Sequence, residues 1–121
     1  MRSILIVEDN LLTVSLIKDI CVYSGFKVLV AQTCTEAKRI LKNKKNFFTV
    51  IFMDMNLPDG IGFDLAIEIK KMKRYKRVLM ILLTGESFID SQYSKIQTVF
   101  SGIMQKPIDV SQVITFLTHI K

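Results

Sequence analysis

The chain has 121 residues, of which 50% are hydrophobic and 23% charged, and 17 basic against 11 acidic side chains give a formal net charge of +6. This length and apolar content predict one globular domain, residues 1–121, and exclude a largely disordered chain. The apolar run at 78–83 is too short to cross a bilayer, and the first residues lack a signal-peptide pattern. With only two cysteines and one histidine, we expect neither a disulfide framework nor a Cys/His metal cluster. Cys21 and Cys34 are predicted to be buried, reduced thiols of a cytoplasmic protein.

Much of the positive charge falls in two groups of residues, each placed before a predicted strand. These are Lys42, Lys44 and Lys45, and then Lys70, Lys71, Lys73, Arg74, Lys76 and Arg77. We interpret them first as solvated helix ends, where cations interact favourably with the helix dipole. A docking surface for an acidic partner or a nucleic acid is the alternative. Direct nucleic-acid binding is not expected, because no interleaved aromatic residues are evident as stacking platforms.

Taken in chain order, the apolar patterns predict five strands that alternate with five helices. The strands are predicted at 4–7, within 26–31, at 47–53, at 78–83 and around 103–104. Helix starts are indicated by Asn10, by the capping box Thr33–Glu36, by Ser87 with Asp90, and by Asp109. The last helix has one apolar stripe, formed by Val110, Val113, Ile114, Leu117 and Ile120. This alternation predicts an α/β domain with a doubly wound parallel sheet and helices on both faces.

The third strand ends in the most informative stretch of the chain. Four apolar residues, Val50 to Met53, stop at Asp54, and the turn residues Pro58, Asp59 and Gly60 follow. Asp54 is therefore predicted at the carboxyl end of a buried strand, where open α/β sheets place their reactive groups. We assign Asp59 and Gly60 to the turn and give them no chemistry.

Four other reactive side chains follow strands that end at the same predicted edge. They are Glu8 and Asp9 after the first strand, Thr84 after the fourth and Lys106 after the fifth. Three crowded carboxylates need a hard divalent cation, and an all-oxygen set suits Mg²⁺, which Mn²⁺ could replace. A hydroxyl and an ammonium beside them form an oxyanion-binding set, which fits a phosphoryl group on Asp54.

These motifs together resemble the receiver domain of two-component response regulators over essentially the whole chain. The resemblance rests on Glu8-Asp9, Asp54 with Leu57-Pro58-Asp59-Gly60, Thr84-Gly85 and Lys106-Pro107. It implies a flavodoxin-like, three-layer fold with sheet order 2-1-3-4-5. Asp54 would then be the phospho-acceptor, receiving its phosphoryl group from a phosphohistidine of a histidine kinase or a histidine phosphotransfer protein. Such a domain catalyses only its own phosphorylation and dephosphorylation.

The resemblance also implies roles for the neighbouring residues. Glu8, Asp9, Asp54 and the backbone carbonyl of Asn56 would surround Mg²⁺, Thr84 would be the switch hydroxyl, and Lys106 would pair with the phosphate and precede a cis peptide bond to Pro107. Asn56 and Glu86 are candidates for tuning the phosphoryl lifetime. Phosphorylation would change the face of helix 4, strand 5 and helix 5, which an output domain or protein reads and which a homodimer could use.

Two positions depart from the usual pattern of the family. Glu8 replaces the more common aspartate with the same charge on a longer side chain. Ile103 occupies the position of the switch aromatic, so a rotating tyrosine or phenylalanine is absent and the output face cannot be transferred directly from the family.

Two other functions are compatible with parts of the sequence. A receiver-like interaction module would bind its partner independently of phosphorylation. A phosphatase of the haloacid dehalogenase type would also use a strand-end aspartate, but it requires a second aspartate two residues later, where this chain has Asn56.

Overall fold

The computed structural model describes residues 2–85 and 90–120, so Glu86 and Ser87 lie outside the described part. The elements are β1 (Ser3–Val7), α1 (Leu11–Tyr23), β2 (Lys27–Ala31), α2 (Cys34–Lys42), β3 (Val50–Asp54), β4 (Asn56–Leu57), β5 (Gly60–Ile61), α3 (Gly62–Lys71), a 3-10 helix (Lys73–Tyr75), β6 (Leu79–Thr84), α4 (Asp90–Gln97), β7 (Gly102–Gln105) and α5 (Val110–Ile120). No helix in this described part is both long and apolar enough for a membrane span.

The main sheet has five parallel strands in the order β2-β1-β3-β6-β7. Counting only these strands, the order is 2-1-3-4-5, which confirms the predicted flavodoxin-like fold. The central strands are apolar on both faces because helices cover both sides of the sheet. Every residue of β3 is buried, including Asp54 at its end.

Alternate residues of the strands enter two separate hydrophobic cores. Leu5, Ile51 and Met80 face a core that also contains Ile40 of α2 and Ile69 of α3. The residues between them along the strands, which include Ile4, Val50 and Ile81, face a second core that contains Ile17 of α1 and Val113 of α5. The period-two alternation of the strands therefore fixes the helices on opposite faces.

Three of the predicted helix starts are confirmed. The Asn10 side chain accepts a hydrogen bond from Thr13 N at 3.1 Å, and the Thr33 hydroxyl accepts one from Glu36 N at 3.0 Å. Asp109 accepts from Ser111 N at 2.9 Å before α5 begins. The capping box differs in one detail, because the Glu36 carboxylate reaches Gln32 N rather than Thr33 N. The start predicted at Ser87 lies outside the described residues.

The predicted start of the third strand is wrong, and the predicted stripe of α5 is only partly buried. The third strand begins at Val50 rather than at Phe47, because Phe47 stacks on Tyr75 at the end of the sheet instead of joining the strand. There Phe48 is buried, whereas Phe47 remains largely exposed. The apolar stripe of α5 is only partly inside, since Val110 and Ile114 are exposed while Val113 and Leu117 are buried.

A small antiparallel hairpin, β4 with β5, follows Asp54 and was not predicted from the sequence. Met55 N donates to Leu83 O at the start of this hairpin, and Gly62 N donates to Met55 O at its end. Gly62 packs directly on the strand end: a Cβ atom there would lie 2.0 Å from the carbonyl oxygen of Asp54. The hairpin can therefore close tightly under Asp54 only with glycine at this position.

Candidate functional site

The polar side chains predicted at the strand ends do meet at one edge of the sheet. Asp54 is the last residue of β3 and Thr84 the last of β6, and the two strands are paired in parallel. Lys106 follows β7, and its backbone N–H donates to the carbonyl oxygen of Thr84 at 2.8 Å. Glu8 and Asp9 follow β1, the other neighbour of β3. Sheet order alone thus brings five residues that are distant in sequence to one place.

Three carboxylates form the centre of the site. Glu8, Asp9 and Asp54 each offer an oxygen atom, and these oxygens all lie within 4.8 Å of one another. Glu8 and Asp54 are buried, whereas Asp9 is exposed, so the cluster is closed on the sheet side and open on the solvent side. Such crowding of negative charge is unfavourable unless a cation balances it.

Lys106 supplies part of this balance. Its Nζ lies 2.6 Å from Glu8 Oε1 and 3.3 Å from Asp54 Oδ1. Burial by itself would lower the pKa of Lys106, but the two carboxylates outweigh burial and the pKa is raised. Burial raises the pKa of Glu8, and Lys106 opposes this rise. Lys106 is therefore firmly cationic and is directed at the carboxylates.

The donor set fits a divalent metal ion. The second Glu8 oxygen, Oε2, accepts from Asn10 N at 3.1 Å, whereas Oε1 has only its charge contact with Lys106 and accepts no aligned hydrogen bond in the described part of the chain. Glu8 Oε1 can therefore still bind a cation. Together with the two further carboxylates, it matches the oxygen ligands that Mg²⁺ prefers. One lysine also leaves a cluster of three carboxylates with net negative charge.

The remaining predicted positions are distributed around this centre. Thr84 is buried, while Asn56 is exposed in β4, two residues after Asp54. Ile103 is partly buried in β7, pairs in register with Leu82 and packs against the core on the α2 and α3 side. The peptide bond between Lys106 and Pro107 is cis, as predicted. Glu86 lies outside the described residues.

Asp59 has a structural role that the sequence analysis missed. Its carboxylate accepts hydrogen bonds from Cys34 N at 2.7 Å and from Thr35 N at 3.0 Å, and from the Thr35 hydroxyl at 2.8 Å. These bonds lower the pKa of Asp59 to about 2. Asp59, in the turn of the hairpin, thus accepts hydrogen bonds from the free N–H groups at the start of α2. These bonds attach the hairpin that follows Asp54 to α2. The only signal in the sequence was an acid in a turn, and the partner is 25 residues away.

A parallel sheet of this order, with a lysine-paired acidic cluster at its carboxyl edge, has the architecture of a receiver domain. The chain belongs to that family: residues 4–118 match the family model described as response regulator receiver domain. It is therefore a receiver domain of the two-component response regulator type, a signalling domain with an acidic cluster suited to Mg²⁺.

Individual relatives agree with this assignment. The chain is 31% identical to chemotaxis protein CheY of Bacillus subtilis over 115 residues, which cover 93% of this chain and 92% of that protein. Chemotaxis protein CheY4 of Vibrio cholerae superposes with a TM-score of 0.86 at 24% identity, covering 100% of this chain and 99% of the other. The receiver domain of sensor histidine kinase PA1611 of Pseudomonas aeruginosa, solved with magnesium in its active site cleft, has a TM-score of 0.83 at 24% identity, covering 98% and 95% of the two chains.

Other relatives are much longer than this chain. It is 26% identical to hybrid signal transduction histidine kinase B of Dictyostelium discoideum over 93% of its own length but only 6% of that protein. It spans 59% of the photosynthetic apparatus regulatory protein RegA of Rhodobacter capsulatus, at 24% identity over 93% of this chain.

Proposed function

We propose that this receiver domain accepts a phosphoryl group on Asp54 from a phosphohistidine of a histidine kinase or a histidine phosphotransfer protein. The observation that carries the proposal is the position of Asp54, buried at a strand end with Oδ1 3.3 Å from Lys106 and within the cluster of Glu8 and Asp9. Asp54 keeps only 6% of its surface in solvent, and the Lys106 ammonium lies beside it.

In the proposed transfer, an Asp54 oxygen attacks the phosphorus atom of the donor. The new O–P bond forms as the P–N bond to the donor imidazole breaks, and the departing nitrogen takes up a proton from solvent. Lys106 faces the negative charge of the phosphoryl oxygens, and the buried Thr84 hydroxyl is the donor on the adjacent strand. Such transfer depends mainly on positioning and charge neutralisation, which these fixed groups supply.

Glu8, Asp9, Asp54 and the backbone carbonyl of Asn56 are the residues that we propose to hold Mg²⁺, or Mn²⁺ in its place. The ion would neutralise charge that develops on the phosphoryl oxygens. In the proposed dephosphorylation, a water molecule attacks the phosphorus atom, the O–P bond to Asp54 breaks, and inorganic phosphate leaves. Asn56, exposed beside the acceptor, and Glu86 are proposed to influence how quickly that water arrives.

The proposed output is a change in the face formed by α4, β7 and α5. Thr84 is buried at the end of β6, and its carbonyl holds the backbone of Lys106, so movement of Thr84 toward a phosphoryl group would pull on β7. Ile103 packs against the core on the α2 and α3 side, and it also lines a cleft of about 500 Å³ beside β7 and α5, together with Gln112 and Phe116. We propose that repacking around Ile103 replaces the rotation of an aromatic ring, and that an output domain, an output protein or a second copy of the chain reads this face.

We also propose a cellular location for the domain and a surface that the phosphoryl donor contacts. The domain spans 1–121 and acts in the cytoplasm, where its two buried, unpaired thiols stay reduced. A donor protein would meet the exposed Leu11 and Leu12, which lie at the start of α1, two and three residues after Asp9. Apolar side chains at this position suit a partner helix that presents the phosphohistidine.

The test is the intact mass of the protein after incubation with acetyl phosphate, with and without Mg²⁺. Wild type is expected to gain one phosphoryl group only with Mg²⁺, and Asp54→Asn is expected to gain none. Asp19→Asn is the matched control, since it removes an exposed carboxylate on α1 away from the cluster and should behave as wild type.

If acetyl phosphate fails, a phosphorylated histidine phosphotransfer protein is the second donor. Failure with both donors would refute the acceptor role and favour an interaction module that binds without phosphorylation. Repeated release of phosphate from a small ester would instead favour the haloacid dehalogenase type of chemistry.

A further inference from the structure

The positive charge of the chain is strongly segregated. Residues 37–53 and 69–85 contain eleven of the 17 basic residues and no acidic one, so the rest of the chain has six basic residues against all 11 acids. Both segments cross the end of the sheet opposite Asp54, because they contain the connections into β3 and β6. Ten of these eleven cations are exposed, and nine of the ten have no carboxylate partner within residues 2–85 and 91–120. Apart from Arg39 within α2 and Arg74, they are Lys42, Lys44, Lys45, Lys71, Lys73, Lys76 and Arg77. We call these seven residues, together with Phe47, the basic edge.

Arg74 joins the two segments into one surface. Its guanidinium donates to the carbonyl oxygens of Asn43, Lys44 and Asn46, and it also lies 5.5 Å from the centre of the Tyr75 ring. The lysines on either side of it are therefore held on one rigid support, although their own side chains extend freely into solvent. We therefore treat Arg74 as a support for this surface and not as one of its contact residues.

An exposed aromatic ring lies among these cations, contrary to the expectation from the sequence. Phe47 is 54% exposed, and its ring stacks on the buried Tyr75 with centroids 5.7 Å apart and planes 12° apart. The Arg74 guanidinium also lies 5.9 Å from the centre of the Phe47 ring, so the part of the ring left in solvent is the surface on which a base could stack. It also borders a cleft of about 380 Å³ whose lining includes Lys27, Lys45 and Asn46.

We propose that the basic edge binds single-stranded nucleic acid without sequence specificity. Flexible lysines give point charges that suit a phosphate backbone, and they offer few of the planar, bidentate contacts that read bases or carboxylates. Phe47 would stack on one base, and the cleft beside it has room for a nucleotide between Lys27 and Lys45. An acidic protein segment would use the same charges but would gain little from the ring. The surface is at the far end of β3 from Asp54, so this binding is separate from phosphoryl acceptance.

The experiment is fluorescence anisotropy with a labelled, mixed-sequence oligonucleotide of about 12 nucleotides, a length within the usual site sizes. If about four phosphates are neutralised, the slope of log K against log salt should be near −3. The double variant Lys44→Gln with Lys45→Gln should flatten the slope by about 1.4. Phe47→Leu should weaken binding about tenfold while leaving the slope unchanged, because stacking releases no counterions.

The matched control is Lys18→Gln with Lys95→Gln, which removes the same charge from exposed positions on α1 and α4. This variant should bind as wild type, and circular dichroism should show that all variants remain folded. Equal losses in the control and the Lys44/Lys45 variant would overturn the proposal, since net charge alone would then explain binding. Unchanged affinity in Phe47→Leu, or displacement of the oligonucleotide by poly-glutamate as effective as by unlabelled oligonucleotide, would assign the surface to acidic proteins instead.

Discussion

Gly62→Ala is the substitution for which the structure gives the clearest expectation. Gly62 is the first residue of α3, and a Cβ atom there would lie 2.0 Å from the Asp54 carbonyl oxygen and 3.0 Å from Met53 Cγ. Real Cβ atoms essentially never approach another atom more closely than 3.0 Å, so the helix start and the strand end must separate by about 1 Å. The atom in the way is a backbone carbonyl, which cannot rotate aside as a flexible side chain would.

The size of the effect follows from two opposing contributions. Overpacking against a fixed backbone costs about 3 kcal/mol, at the upper end of the usual range. Replacing glycine by alanine by itself stabilises the folded state by about 1 kcal/mol, because alanine restricts the unfolded chain and has the higher helix propensity. The net expectation is a loss of about 2 kcal/mol in the free energy of unfolding, or a melting temperature lower by about 8 °C for a domain of this size.

The assay is urea unfolding followed by circular dichroism, with Gly85→Ala as the matched control. Gly85 is exposed, and a Cβ atom there would have no neighbour within 4 Å among the described residues, so this control should stay within about 0.5 kcal/mol of wild type. Because the clash displaces the residue that bears the proposed acceptor, the folded Gly62→Ala protein should also be phosphorylated more slowly. A Gly62→Ala protein as stable as the Gly85→Ala control would refute the packing argument, and a normal phosphorylation rate would refute its link to Asp54.

Three further outcomes are expected. Asp59→Asn should destabilise the fold at neutral pH: the pKa of Asp59 is lowered to about 2, so its contribution is present above the unfolded value and is lost as the pH falls from about 4 to about 2. Urea midpoints across this range test it, and an equal gap between variant and wild type at pH 7 and pH 2 would contradict it. Lys106→Met should lower the free energy of unfolding by about 2 kcal/mol at pH 7, because Glu8 loses its counter-charge. The loss is smaller than for a fully buried ion pair, since Lys106 is partly exposed. Since burial raises the pKa of Glu8, that loss should shrink as the pH is lowered and Glu8 becomes protonated; a constant loss would count against this explanation. Mg²⁺ at about 100 times its Kd should stabilise wild type by about 2.7 kcal/mol, and Asp9→Asn should weaken this stabilisation. The measurement is the rise in melting temperature on adding Mg²⁺, and an equal rise in both proteins would show that Asp9 does not bind the metal.

The parts of the fold that could be predicted depend on local sequence patterns. Four apolar residues ending at Asp54 specify a buried strand, and the side chains of Asn10 and Thr33 cap the helices that directly follow them. Because parallel strands all end at one edge, the meeting of Asp54 with Lys106 could be inferred without knowing any distance. The family resemblance then supplied the sheet order.

The parts that were missed depend on contacts between distant segments. Asp59 looks like an ordinary turn residue until α2 is placed beside it, and Phe47 looks like the first residue of a strand until it stacks on Tyr75. The hairpin after Asp54 is equally hidden, because its two strands have only two residues each. Such features are too short for periodicity to detect, and tertiary contacts decide them.

The buried cysteines make this chain convenient for site-specific labelling. Burial raises the pKa of Cys21 to about 12 and that of Cys34 to about 11, so almost no reactive thiolate exists at neutral pH. A cysteine introduced at an exposed position, such as Gln105→Cys on β7, would therefore react alone with a maleimide dye. We therefore expect that the native chain needs no cysteine replacement before fluorescence measurements of movement at the proposed output face.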